Sequence, residues 1–154
     1  MTRESLAAAL EREHREIDDG IERFRATPGD RGALLTAIAA LRRHIYLEEE
    51  LVFPALPSEG GAGLIAPIFV MLREHAQIWQ TLDALEREVE DGPSDGRLLC
   101  HQLLVQLQHH NMKEERVLYP EADRALSGAA AARLAEFVEA GRLPDGWVCI
   151  KARA

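Results

Sequence analysis

Apolar residues recur every three or four positions through most of this chain, and a few breakers cut the pattern into long segments. The spacing predicts a first helix from about Thr2 to Ala26, closed by Thr27-Pro28-Gly29. A second starts at Asp30, a residue type suited to capping, and runs to about Val52, where Pro54 stops or kinks it. After a loop from Pro57 to Gly63, a third helix runs from about Leu64 to Glu90, with Pro67 in its first turn. The fourth begins at Ser94 or Asp95 and passes through Pro120, where a kink or break is expected. A short fifth helix spans Ala129 to Ala140, and an irregular tail follows Gly141. Four long helices with short connections imply an all-α fold, an antiparallel up-down-up-down four-helix bundle with a short C-terminal fifth helix.

Each long segment has one inward stripe. These are Leu6, Leu10, His14, Ile17, Ile21 and Phe24, then Leu34, Ile38, Leu41, His44, Glu48 and Leu51. The third and fourth stripes are Ile68, Leu72, His75, Trp79, Leu82 and Val89, and Leu99, Leu103, Leu107, His110, Glu114 and Val117. Every stripe holds one histidine near its middle, and two hold a glutamate one turn later.

The chain also repeats itself. Arg12-Glu13-His14-Arg15-Glu16-Ile17 matches Arg73-Glu74-His75-Ala76-Gln77-Ile78, and His44 to Pro54 matches His110 to Pro120. The unit is a helical hairpin, and two copies facing each other imply a pseudo-twofold axis with equivalent positions on either side. The histidines also share one height. At about 1.5 Å of rise per residue, His14 is about 18 Å before the end of its helix and His44 about 20 Å after the start of the next. The same count puts His75 and His110 each about 22 Å from the turn that joins their helices.

Six polar residues falling on the inward third of their helices by chance is an event on the order of one in 700. No Lys or Arg lies on these stripes to neutralise Glu48 and Glu114, and each uncompensated buried carboxylate costs several kcal/mol. Metal cations resolve the charge and satisfy the imidazoles together. The predicted metal-binding residues are therefore His14, His44, Glu48, His75, His110 and Glu114. Imidazole and carboxylate donors without thiolate suit iron, manganese or zinc and suit calcium or magnesium poorly. Only Glu11-x-x-His14 has the Glu-x-x-His spacing of ferritin-like sites, which disfavours that class.

One His on helices one and three, with His-x-x-x-Glu on helices two and four, resembles the haemerythrin-like HHE cation-binding family. The endings at Phe53-Pro54 and Tyr119-Pro120 add to the resemblance, which spans roughly residues 10 to 122. It implies a cofactor of two iron ions with an oxo or hydroxo bridge. It also implies His14 and His44 on one iron, His75 and His110 on the other, and Glu48 and Glu114 bridging. Zinc or manganese would suit the same donors in a recombinant sample. The chain departs from the oxygen-carrying haemerythrins at Trp79, where those carry a further histidine, and at His110-x-x-x-Glu114, where they use His-x-x-x-x-Asp. Both irons are then expected to be open, which counts against oxygen transport.

Other polar residues have plainer expectations. Asp18, one turn after His14, is expected to be exposed or capping, with an extra metal ligand as the alternative, and His109 to flank the site or meet solvent, with His101 likewise at the surface. Glu49 and Glu115 are either outer acceptors for ligating histidines or solvated glutamates. Tyr46 and Tyr119 have the chemistry to reach iron but lie off the inward stripe. Cys100 and Cys149, without paired spacing, read as reduced thiols.

Length and composition then bound the setting. The 154 residues fit a single domain, with the bundle over about residues 2–126 and the short helix and tail over 127–154. A net charge of -8 disfavours nucleic acid and anionic membranes as partners. No signal-peptide core or membrane-length apolar run is present, so a cytoplasmic protein, monomer or weak dimer, is expected. The expected partner is a small diatomic or peroxide ligand. The leading function is a non-haem di-iron protein that binds or senses O2, NO or peroxide. The alternative is a redox enzyme acting on peroxide or NO, or an iron donor in metal-centre repair. Catalytic residues beyond the metal ligands are not assigned.

Overall fold

A computed structural model describes residues 4–27, 29–56, 62–91 and 96–153. Thr2, Pro28, residues 57–61 of the second connection, Gly92, Pro93 and the start expected at Ser94 or Asp95 lie outside them. Helix α1 spans Leu6–Ala26 and opens on Ser5, whose hydroxyl accepts the Ala8 N–H at 3.1 Å. Helix α2 spans Arg31–Leu47 and opens on Asp30, whose carboxylate accepts the Ala33 N–H at 3.1 Å. A π-helical turn, Glu48–Val52, extends it. A 3-10 turn, Ala62–Leu64, leads into α3, Ile65–Asp91. Helix α4, Arg97–Lys113, starts from Gly96, whose φ of 62° is the left-handed conformation that glycine adopts without strain. A second π turn, Glu114–Leu118, carries α4 into α5, Tyr119–Ala125, so the two form one rod. Helix α6, Gly128–Ala140, is the short helix expected near the C-terminus, and a 3-10 turn, Ile150–Ala152, lies in the tail. No strand occurs among the described residues.

These elements form the all-α bundle expected. Helices α1 and α2 pack together, α3 packs on α4, and α1 also meets the α4–α5 rod. Small residues set the first approach: a Cβ built on Gly20 would lie 2.9 Å from the Cβ of Ala37. That closeness draws together the two helices that carry His14 and His44.

The core is divided in two. One apolar cluster includes Ile17, Leu41, Ile78 and Leu107, and the other includes Leu10, Leu47, Met71 and Leu118. The boundary falls at or just beside the histidine: Leu10, His14, Ile17 on α1 and Met71, His75, Ile78 on α3 show the order, and on α2 it lies between Ile45 and Leu47. A polar layer is therefore sealed between two dry plugs.

Two expectations about the stripes fail at the π turns. Val117 is 45% exposed and Leu51 only half-buried, whereas Val52, Phe53, Leu118 and Tyr119 are buried. In each turn the amide five residues on bonds the glutamate carbonyl, Phe53 N–H to Glu48 O at 2.8 Å and Tyr119 N–H to Glu114 O. The extra residue rotates everything after it by about 100°. Pro120 does not break the rod: it follows directly on the π turn, at the first positions of α5.

Arg43 fastens α6 to the bundle. Its guanidinium donates to the carbonyls of Gly141 at 2.8 Å, Val138 at 3.0 Å and Phe137, and lies 4.8 Å over the Phe137 ring. The Phe137 carbonyl also accepts the Gly141 N–H at 2.8 Å, whereas the Val138 carbonyl is one that the helix end would leave open. Arg43→Ala should lower global stability by about 1–3 kcal/mol, the cost of leaving such groups unpaired. Amide exchange should speed up first across 128–140; unchanged protection there would show that α6 is held by other contacts.

Candidate metal centre

The six residues singled out from sequence meet in the sealed layer. His14, His44, Glu48 and Glu114 offer one ligand atom each within 4.8 Å of one another, and Glu48, His75, His110 and Glu114 do the same. All six are buried, with Glu48, Glu114 and His75 showing no exposure. The two clusters share both glutamates. Glu48 turns Oε2 toward His44 Nε2 at 3.5 Å and Oε1 toward His75 Nε2 at 3.1 Å. Glu114 turns Oε1 toward His14 Nε2 at 3.2 Å and Oε2 toward His110 Nε2 at 3.1 Å. Each carboxylate thus spans the two histidine pairs with one oxygen apiece.

The outer atoms fix which way the rings face. His14 Nδ1 donates to Glu115 at 2.8 Å and His75 Nδ1 to Glu49 at 2.7 Å. His44 Nδ1 donates to Glu13 at 2.8 Å and His110 Nδ1 to Glu74 at 2.9 Å. Glu49 and Glu115 were one of two readings open in the sequence. Glu13 and Glu74 were missed, although the repeated Arg-Glu-His places a glutamate beside both His14 and His75. With every Nδ1 proton so engaged, a neutral ring turns its Nε2 lone pair into the layer.

The layer is consequently crowded with electron pairs. His14 Nε2 and His44 Nε2 lie 3.1 Å apart, and Glu114 Oε2 is buried without a well-formed hydrogen bond, even though His110 Nε2 is close. Such atoms are satisfied by protons or by metal cations. The proton affinities record this demand. Burial opposes a charge on His44, but Glu48 and Glu13 outweigh it and push its pKa up to about 10. Burial is likewise outweighed at His75 and His110, both raised, by the carboxylates around them. Burial is outweighed at Glu114 by His110, His14 and His75, which hold it well below the usual carboxylate range. Imidazole and carboxylate donors, an unbonded carboxylate oxygen and converging lone pairs fit a pair of transition-metal ions.

Two C-terminal segments brace the outer acceptors. Arg43, which holds α6, donates from Nη1 to Glu13 at 3.2 Å, and Glu13 holds His44. The tail's Ile150 N–H donates to Glu49 Oε1 at 2.8 Å, and Glu49 holds His75. Trp147 and Cys149 pack the same tail against the first apolar cluster, so the fold-back has a structural purpose.

The remaining candidates sort cleanly, with two corrections. His101 and His109 are exposed, and both cysteines are buried. Trp79 is buried against Trp147, with Arg42 over its ring. Tyr46 packs on Phe137 and Trp147. Asp18 is neither exposed nor capping: it is half-buried, its Oδ1 has no partner, and burial raises its pKa. Tyr119, expected off the stripe, is fully buried with its hydroxyl inside the first cluster, because the π turn rotates it inward.

His44 makes the metal-free fold depend on pH. Its pKa rises from 6.5 to about 10 on folding, so its proton stabilises the fold fully below about 6.5. That stabilisation disappears as pH climbs through about 10. Metal-free protein should therefore melt at progressively lower temperature across this range, whereas a metal ion in place of the proton should flatten the profile. Melting curves with and without metal check this; identical slopes would contradict it.

Comparison with known proteins agrees with this geometry. The family model described as the Hemerythrin HHE cation binding domain matches residues 5–122. Similar curated proteins include the iron-sulfur cluster repair protein YtfE of Yersinia pestis (strain Pestoides F) and that of Yersinia pseudotuberculosis serotype O:1b (strain IP 31758). Each is 32% identical over 107 residues, covering 63% of this chain and 48% of the relative. The chain spans about half the length of the curated relatives it matches. No solved structure matches it. The chain belongs to the hemerythrin HHE cation-binding domain family.

Proposed function

We propose that this chain, as a single domain, is a non-haem di-iron protein that binds a small ligand, O2, NO or peroxide. The observation that carries the reading is the spanning of both histidine pairs by Glu48 and Glu114, one oxygen to each. In this reading His14 and His44 hold one iron, His75 and His110 hold the other, and the two glutamates bridge. When bound, the iron pair supplies reversible electron transfer and a position for the ligand.

The protein's own contribution is orientation and dryness. Glu13, Glu49, Glu74 and Glu115 hold the four imidazoles in the tautomer that offers Nε2 inward. The apolar plugs on either side exclude bulk water, which strengthens electrostatic interactions within the layer. No helix among the described residues is long and apolar enough to cross a membrane.

A second reading, an iron donor in metal-centre repair, is favoured by the relatives' names, which describe iron-sulfur cluster repair. The two readings share a centre and differ in whether iron stays. Reconstituted protein should hold about two irons per chain. Mixing the reduced form with O2, NO and peroxide in turn should give spectral changes with at least one of them, and Glu48→Ala should abolish these while His101→Ala leaves them intact. Iron moving to an iron-depleted iron-sulfur protein under the same conditions would favour repair. A mononuclear site insensitive to all three ligands would overturn both.

A further inference from the structure

The sequence repeat makes the two halves of the layer nearly equivalent, and one pair of side chains breaks that equivalence. Phe53 and Tyr119 occupy matching positions, five residues after Glu48 and Glu114, and each is turned inward by its π turn. Phe53 stacks on His75 with ring centroids 5.8 Å apart and planes 12° apart, and it offers no polar atom. Tyr119 lies against His14, with centroids 5.4 Å apart, and adds a hydroxyl.

That hydroxyl is surrounded by the whole first cluster. Its oxygen is 2.7 Å from Glu48 Oε2, 3.1 Å from Glu114 Oε1, 2.9 Å from His14 Nε2 and 3.0 Å from His44 Nε2. In the neutral-ring form that binds metal, with the Nδ1 protons going to Glu115 and Glu13, all four neighbours are acceptors, and a phenol has one proton to give. Ligand atoms bound at about 2.1 Å to one ion lie roughly 3 Å from one another. The phenol oxygen already stands at that spacing from each of the four.

We propose that Tyr119 is a fifth protein ligand of the metal in the His14/His44 half, leaving the His75/His110 half as the position open to an exogenous ligand. This rests on the di-iron reading above. On coordination the Tyr119 O–H bond breaks, a metal–oxygen bond forms and the proton leaves to solvent. The half beside Phe53 has no matching oxygen, so its remaining position stays available. The expectation from sequence that both irons are open is replaced by one closed and one open.

The chain has two tyrosines, Tyr46 and Tyr119, which makes the test clean. The full chain would be loaded anaerobically with ferrous iron, oxidised, and examined for iron content, visible absorption and resonance Raman scattering. A tyrosinate-to-iron(III) charge-transfer band with phenolate vibrations is expected in the unaltered protein and in Tyr46→Phe, and its complete loss in Tyr119→Phe. Azide should bind once per iron pair, twice in Tyr119→Phe, and not at all in Phe53→Tyr, which should gain a second phenolate signal. If Tyr119→Phe does not fold, a phenolate signal retained in Tyr46→Phe still assigns the ligand to Tyr119. Protein carrying two irons without a phenolate signal would overturn the proposal and leave the di-iron reading standing. Protein that holds fewer than two irons per chain would overturn both.

Discussion

Four imidazoles and two carboxylates directed into one sealed layer, with no lysine or arginine among them, form the constraint on which the rest of this structure depends. Each ring is tied at Nδ1 to a glutamate, so its other nitrogen must face inward. A core built this way repels itself unless protons or metal ions enter it. The raised proton affinities of His44, His75 and His110 and the depressed one of Glu114 are the metal-free expression of that demand. Metal in place of those protons converts a liability into a folding contribution.

The surrounding fold serves this layer. Two separate apolar clusters close it above and below, and the Gly20–Ala37 contact draws α1 and α2 together. Residues beyond the family match are recruited as well. Helix α6 acts through Arg43 and Glu13 on His44, and the tail acts through Ile150 and Glu49 on His75. The C-terminal segment thus steadies one histidine from each pair, a role that no feature of its own composition announces.

Much of the fold and the layer was legible in the sequence because both follow from helical periodicity. His14, His44, Glu48, His75, His110 and Glu114 each sit on an inward stripe at one height, and burial places them there. What was not legible depends on departures from that period. Tyr119 and Val117 exchange roles because a π turn adds one residue, and nothing in local propensity distinguishes Glu114–Leu118 from an ordinary α turn. Glu13 and Glu74 escaped for a different reason. Each adjoins a histidine of the layer in sequence and points about 100° away, yet reaches across to a histidine on the neighbouring helix. The duplicated Arg-Glu-His was the available signal, and it marks the outer acceptor together with the candidate ligand.

The central claim is that one pair of carboxylates holds two metal ions between two pairs of histidines. Anomalous scattering at the metal edge, from crystals of iron-loaded protein, tests it most directly. The account predicts two peaks, one against His14 and His44 and the other against His75 and His110, both within bonding distance of Glu48 and Glu114. A single peak, or peaks bound outside this layer, would contradict it.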